Sequence, residues 1–459
     1  MGFLVTILVT VVVVHYYLWR RLVRSTTLPG SRSRRWSTWA LVALAALLPL
    51  TLVGGRAFGQ GVGHVLAWPG YLWLAIMFYL FVFSLVLEIP RAIALLTVRR
   101  ARRPSSATVA PVIVGSPVSA GGSAVAAAET AVQTGPGADA DNGLAHPFDR
   151  EPGPADREPG PDAAMIGRRL FISRTTAAAV GVGALATVGY GMRVAQGDPV
   201  IERVPVRLAR LDPRMNGLRF AVVSDIHLGP LTGRGHTERI VRMINSLQAD
   251  VVAIVGDLVD GTVAELGPLA TPLRSLESRY GAYFVTGNHE YYTANGPQEW
   301  IDELGSLGVR SLRNERVEIR HAGAVLDLAG VNDLNGQVMG DGPDMAKALT
   351  GRDPGRPVVL LAHQPLQVEQ AAEHGVDLQL SGHTHGGQMV PFNLLVPLQQ
   401  PMVAGLAEVP RPATGAAADA RGARPDVTQV YVTRGAGFWG PPVRVGAPPE
   451  ITLLELRPS

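Results

Sequence analysis

The sequence predicts an α/β domain carried behind an α-helical transmembrane region. Three observations lead there. From residue 200 onward, short apolar runs of strand length alternate with amphipathic stretches of helical period. Before residue 200, four apolar runs are punctuated by arginine clusters. Chemistry-bearing residues gather just after several of the strand-like runs, where ligands collect in α/β sheets.

Charge divides the same way. The 459 residues carry a formal +3, but residues 1–199 hold 18 arginines against 10 acidic residues. The remainder is net acidic, so the pI near 9.3 belongs to the N-terminal part. It is no argument for nucleic-acid binding, and no nucleic-acid partner is expected. Lys347 is the only lysine, so phosphate-binding cations fall to arginine. The chain has no cysteine, which excludes disulfides, thiolate ligands and cysteine nucleophiles.

Residues 1–103 are expected to form a membrane region with three transmembrane helices. The apolar runs are 3–18, 39–53 and 68–89. The third is long enough to span a bilayer, and the first two sit near the lower limit of roughly 17 residues. Trp19, Trp36, Trp39, Trp68, Tyr71 and Trp73 stand at run ends, the place of an aromatic belt. Arg20, Arg21, Arg24, Arg32, Arg34 and Arg35 fill the first loop, and Arg91, Arg99, Arg100, Arg102 and Arg103 follow the third run. By the positive-inside rule these segments face the cytoplasm and the N-terminus lies outside. The first run has no basic segment before it and does not read as a cleaved signal peptide.

Residues 104–164 are rich in Ala, Gly, Pro, Ser and Asp. Such a segment buries too little apolar surface to offset its ordering entropy, so a disordered cytoplasmic linker is expected. Residues 165–199 open with Arg168-Arg169-Leu170-Phe171 and continue into a mild apolar run, 175–192, that contains Gly181, Gly183 and Gly189. This resembles a twin-arginine export signal. The bland alternative is a chance Arg pair before an ordinary fourth helix. Either way the chain is carried outward, which makes this a multi-pass plasma-membrane protein with an extracytoplasmic domain at 200–459.

Within that domain, strands are expected at 218–223, 251–255, 282–285, 325–328, 358–361, 378–380, 429–432 and 451–456. Helices are expected at 238–247, 265–278 and 298–307. The Ala/Pro/Gly/Arg-rich stretch 410–426 reads as a surface insertion.

Five short motifs follow in order: Asp225-Ile226-His227, Gly256-Asp257, Gly287-Asn288-His289-Glu290, His363, and Gly382-His383-Thr384-His385. Taken singly each has a bland reading. Gly-Asp is a common turn, Asn288 suits a left-handed turn position, and a lone His after an apolar run is usually a core residue. Taken together they supply the hard oxygens and imidazoles of a two-metal phosphoesterase site. Hydrolysing a phosphoester needs a nucleophile at neutral pH and neutralised phosphoryl charge, and two divalent ions do both. Among lesser candidates, Asp260 suits ordering of the loop after Asp257, and Glu290 suits orienting a ligand or capping a helix. Arg434 is a candidate phosphate clasp. His236, His321 and His374 read as surface residues. Phe438 and Trp439 read as core, with pocket lining as the alternative.

This motif set resembles the calcineurin-like metallophosphoesterase superfamily over roughly 218–456. The strings SGHTHGGQ (381–388) and RGAGFWGPPVRVGAPPE (434–450) resemble its YkuE/YaeI-like, membrane-attached branch. The resemblance implies a four-layer αββα sandwich. It implies that Asp225, His227 and His385 bind one metal, that Asp257 bridges, and that Asn288, His363 and His383 bind the second. It places His289 at the phosphoryl group and a metal-bridging hydroxide in line with it. Mn, Fe or Zn fit such a mixed N/O set. The implied substrates are phosphodiesters or monoesters of cell-envelope compounds, lipid-linked or of the cell wall. Two other readings stay open at this point: a catalytically silent binding or sensory module at the membrane, and a phosphoesterase facing the cytoplasm.

Overall fold

A computed structural model describes residues 2–58, 60–100, 161–293, 295–412 and 427–459. The expected linker therefore lies outside the described residues up to 160, and most of the expected insertion, 413–426, lies outside as well.

Five helices come first: α1 (Gly2–Leu18), α2 (Arg32–Phe58), α3 (Gln60–Val86), α4 (Glu88–Arg100) and α5 (Pro161–Gln196). Among the described residues, three stretches are long and apolar enough to cross a membrane: Arg32–Leu52, Val65–Val86 and Ile166–Gln196. With 17 residues, α1 sits at the lower limit. The last run extends well past the expected 175–192, because helical residues continue on both sides of it. Arg21, Arg24, Arg34, Arg91 and Arg174 come together at one end of the bundle. There Glu88 meets Arg21 at 2.5 Å and Arg91 at 3.2 Å. At the same end Arg174 of α5 donates to the Thr26 carbonyl at 3.0 Å.

The rest folds into two six-stranded sheets. One runs β1 (Val200–Leu208), β12 (Glu450–Pro458), β2 (Leu218–Val223), β3 (Val251–Val255), β4 (Ala282–Val285), β5 (Val309–Ser311). The other runs β10 (Gly405–Pro410), β11 (Val427–Val432), β9 (Leu378–Ser381), β8 (Val358–Leu361), β7 (Ala324–Gly330), β6 (Glu315–His321). The sheets pack face to face through Phe220, Val222, Val251, Ala253, Leu326, Leu328, Val359 and Leu378. On the outer face of the first sheet, Ala221, Val223, Val252 and Ile254 pack under α6 (Arg234–Ser246), α7 (Val263–Ala270) and α8 (Gln298–Ser306). Ala329, Val358 and Leu360 of the second sheet pack under α9 (Met345–Ala348) and α10 (Val368–Glu373). The result is four layers, α/β/β/α. Successive residues of β2 and β3 enter opposite cores, so these strands are apolar almost throughout rather than alternating.

All eight expected strands form. The four the sequence did not suggest are β1, β5, β6 and β10, which are the four edges of the two sheets. An edge strand is half solvated and carries charge or proline. Accordingly β1 reads VIERVPVRL and β6 reads ERVEIRH.

The helical bundle and the sandwich meet directly. Ala184 and Val188 of α5, Ala75 and Tyr79 of α3, and Val443 of the sandwich form one apolar cluster. Close approach rests on a helix glycine: a Cβ on Gly191 would lie 2.5 Å from Val443 Cγ1. The Arg444 N–H donates to the Gly191 carbonyl at 2.9 Å.

Candidate metal centre

The motif residues converge on the loops that leave the carboxyl ends of the central strands. Asp225 and His227 follow β2, Asp257 follows β3, Asn288 and His289 follow β4, His363 follows β8, and His383 and His385 follow β9. Five of them hold positive φ: Asp225 (52°), His227 (50°), Asp257 (50°), His383 (72°) and His385 (52°). Left-handed backbone costs a non-glycine residue free energy and persists where surrounding structure over-determines it.

Two clusters of donors result. In the first, His385 Nε2 lies 3.2 Å from Asp225 Oδ1 and 3.1 Å from His227 Nε2. In the second, His363 Nε2 lies 3.2 Å from Asp257 Oδ2, with His383 alongside. Asp257 stands between them, its Oδ2 also 3.9 Å from His227 Nε2. Its other oxygen accepts the His289 backbone N–H at 2.8 Å. Burial alone would raise the Asp257 carboxyl, yet His363, His289 and His227 hold it well below the usual range.

The donors suit divalent cations on this structure's own evidence. Asn288 Oδ1, His363 Nε2 and His383 Nδ1 are buried and have no hydrogen-bond partner. A buried polar atom left unpaired is costly, and a bound cation is one way to satisfy it. The tautomers agree. His363 Nδ1 sits 2.8 Å from the Val255 carbonyl and must donate to it, so Nε2 is the ring nitrogen left to face a cation.

Supporting residues hold these groups in place. Asp260 Oδ1 accepts from Nδ1 of both His227 (2.8 Å) and His289 (2.7 Å). Glu290 is fully buried and accepts the N–H groups of Asp257 (3.1 Å), Leu258 (2.8 Å) and Gly287 (2.6 Å). It therefore ties the loops after β3 and β4 together rather than capping a helix. The His289 ring is opposed by burial but favoured by Asp257, Asp260 and Glu290, which push it up to about 9.

Several expectations change. Arg434 is not aimed at the donors: its guanidinium pairs with Glu202 at 2.7 Å and Glu450 at 3.0 Å, because two carboxylates lie within its reach. His236 is buried rather than on the surface, with Arg239 Nη2 3.0 Å from its Nδ1. Burial, with Arg239 and Arg444 adding to it, lowers His236 to about 4. Phe438 is core, but Trp439 is 54% exposed and stands edge-on to His289, ring centroids 5.7 Å apart.

Sequence reasoning missed Arg444. This guanidinium is fully buried. It donates to the carbonyls of Gly437 (2.8 Å), His385 (3.0 Å), Arg434 (2.7 Å) and Ala447 (3.2 Å). It thereby clamps the loop after β11 onto the His385 turn. The only signal in the chain is an arginine inside an otherwise uncharged Gly/Pro run, PPVRVGAPP.

Fold and site together define a four-layer α/β protein whose strand-end loops gather candidate metal-donor groups. The calcineurin-like phosphoesterase family matches residues 218–387. An uncharacterized metallophosphoesterase of Helicobacter pylori strain J99 is 38% identical over 280 residues, covering 60% of this chain and 69% of that protein. The Bos taurus "transmembrane protein with metallophosphoesterase domain" is 42% identical over 278 residues, covering 58% of this chain and 59% of the relative. YkuE of Bacillus subtilis strain 168, an uncharacterized metallophosphoesterase, is 26% identical over 301 residues, covering 64% and 98%. The chain belongs to the calcineurin-like phosphoesterase family. The match spans less than two thirds of the bovine relative's length.

Proposed function

We propose that this chain is a membrane-anchored, metal-dependent phosphoester hydrolase whose centre faces the extracytoplasmic side. The observation that carries the reading is the complete donor set, three of whose buried atoms have no hydrogen-bond partner: Asn288 Oδ1, His363 Nε2 and His383 Nδ1. Asp225, His227 and His385 would hold one divalent ion and Asn288, His363 and His383 the other, with Asp257 shared. Such ions supply a nucleophile at neutral pH and neutralise phosphoryl charge. His289, kept protonated by Asp257 and Asp260, is placed to donate to a phosphoryl oxygen or to the leaving group. Asp260 orients both His227 and His289 for this work.

The topology supports the outward orientation. Arginines cluster at one end of the bundle, while the sandwich contacts α3 at Tyr71 and α5 at Gly191. Tyr71 and Glu88 lie 17 residues apart, or about 25 Å of helix. With the arginines inside, the sandwich lies outside. Arg168 and Arg169 are exposed, and a twin-arginine route would use them as its signal. The substrates are phosphodiesters or monoesters of cell-envelope compounds.

Purified full-length protein should bind about two metal ions and hydrolyse an aryl phosphodiester or monoester, with activity lost in Asp257→Ala and His383→Ala. Metal-loaded protein inert towards every phosphoester class sinks the enzymatic reading. Protease should reach the sandwich in wall-stripped intact cells. Digestion only after lysis sinks the orientation.

A further inference from the structure

The metal centre opens beside an uncharged apolar rim. Between His385 and Glu408 the chain has no charged residue. Within that stretch Leu394 is 72% exposed, Leu398 79%, Leu395 53% and Phe392 50%. Scattered apolar residues on a surface are ordinary, but several contiguous ones mark an interaction site.

The rim is built onto the metal centre. A Cβ on Gly387, two residues after His385, would lie 2.4 Å from Asn393 Cα. The Gln388 side-chain amide clasps Trp439: Nε2 donates to its carbonyl at 3.0 Å and Oε1 accepts its N–H at 3.0 Å. Trp439 in turn is the exposed ring beside His289.

The rim is also continuous with the bundle. Met389, at its root, packs in the same apolar cluster as α3 and α5. A Cβ on Gly440, next to Trp439, would lie 3.5 Å from the Tyr71 ring. Tyr71 is six residues inside the apolar stretch Val65–Val86, and Gly191 five residues inside Ile166–Gln196. These correspond to about 7–9 Å of helix, the depth at which interfacial segments lie.

We propose that residues 390–398 and Trp439 form a rim seated in the same bilayer that holds α3 and α5, and that the phosphoester taken by this centre is a lipid headgroup. The absence of charge lets the leucines enter the acyl boundary, and Trp439 occupies the interfacial belt. The centre then opens onto the headgroup layer. The substrate clause rests on the hydrolase reading above; the seating does not.

The cysteine-free chain makes the test direct. Full-length Leu395→Cys and Leu398→Cys, each carrying a fluorophore, are placed in nanodiscs containing lipids with nitroxide on the acyl chain. Tyr190→Cys in α5, exposed and six residues inside its apolar stretch, serves as the membrane reference, and Ser275→Cys, before β4, as the solvent reference. Quenching at 395 and 398 like that at 190 is expected. Labels at 395 and 398 as unquenched as at 275 overturn the seating, and a 395–395 disulfide in that case assigns the patch to a second copy of the chain.

The variant Leu394→Ser/Leu395→Ser/Leu398→Ser tests the substrate class. Its hydrolysis of a chromogenic phosphodiester on diacylglycerol in the nanodisc should fall about tenfold or more, while a soluble aryl phosphodiester changes less than about twofold. Equal effects on both overturn the lipid-headgroup assignment. Quenching without hydrolysis of any phosphoester leaves the seating standing and removes the hydrolase reading, and with it the substrate class.

Discussion

His227 and His289 share one carboxylate oxygen. Asp260 Oδ1 takes the Nδ1 of each, at 2.8 and 2.7 Å, and the two rings meet edge to face with centroids 4.7 Å apart. One acidic side chain thus sets the tautomer of a metal donor and the charge of the proposed proton donor. In Asp260→Asn both constraints weaken. Affinity for the first metal should fall roughly 10–100-fold, the usual cost of losing such a partner. Metal titration reads this directly, and unchanged affinity removes the orienting role.

Asn288 Oδ1 is buried without a hydrogen-bond partner and is proposed to hold the second ion. Asn288→Ala removes a donor there and leaves Asp225, His227 and His385 intact. Elemental analysis of the purified variant should give about one metal per chain instead of about two. Two tightly held ions in the variant would contradict the division of donors.

Arg444 gathers several backbone carbonyls, and it does so with no exposed surface. Arg444→Leu leaves these buried oxygens unsatisfied, each costing about 1–3 kcal/mol. Thermal unfolding should shift downward accordingly. Arg444→Lys should rescue little, because a point-charge ammonium lacks the planar fork that reaches separate carbonyls. Full rescue by lysine would show that charge alone matters.

His236 is held neutral, its value lowered by burial to about 4 from 6.5. Between those values the unfolded chain binds a proton that the folded chain does not. Its contribution is therefore complete above about pH 6.5 and is lost as pH falls towards 4. Native protein should lose stability over that window by up to roughly 3 kcal/mol more than His236→Gln. Unfolding midpoints measured from pH 7 to pH 4 for both proteins give the comparison. Parallel curves would mean that His236 takes its proton in the folded state.

Legibility in the sequence followed burial. The eight strands that could be read are interior strands, apolar because both faces are covered, as in β2 and β3. The four that could not be read are the sheet edges, where Pro205 in β1 and the alternating charges of β6 obscure the pattern. His236 misled for a related reason. It lies before the expected helix at 238–247 and so reads as a surface residue, but α6 begins at Arg234 and buries its side chain. Arg434 misled because a strand-ending Thr-Arg-Gly says nothing about Glu202, which lies 232 residues earlier in the chain.

The sequence by itself picked out the candidate donors, their order and their positions after apolar strands, because each motif is local and each strand records its own burial. It also determined that arginine clusters bracket the apolar runs. Only the tertiary structure decided which donors share a cluster and how Asp257 stands between the two. It alone placed Asp260, Glu290 and Arg444 as the groups that hold the centre. It alone brought Trp439 to His289 and Gly440 to Tyr71, joining the metal centre to the helical bundle. Those contacts unite residues 150 and 369 positions apart, and no local periodicity encodes a contact whose two halves meet only after the chain has folded.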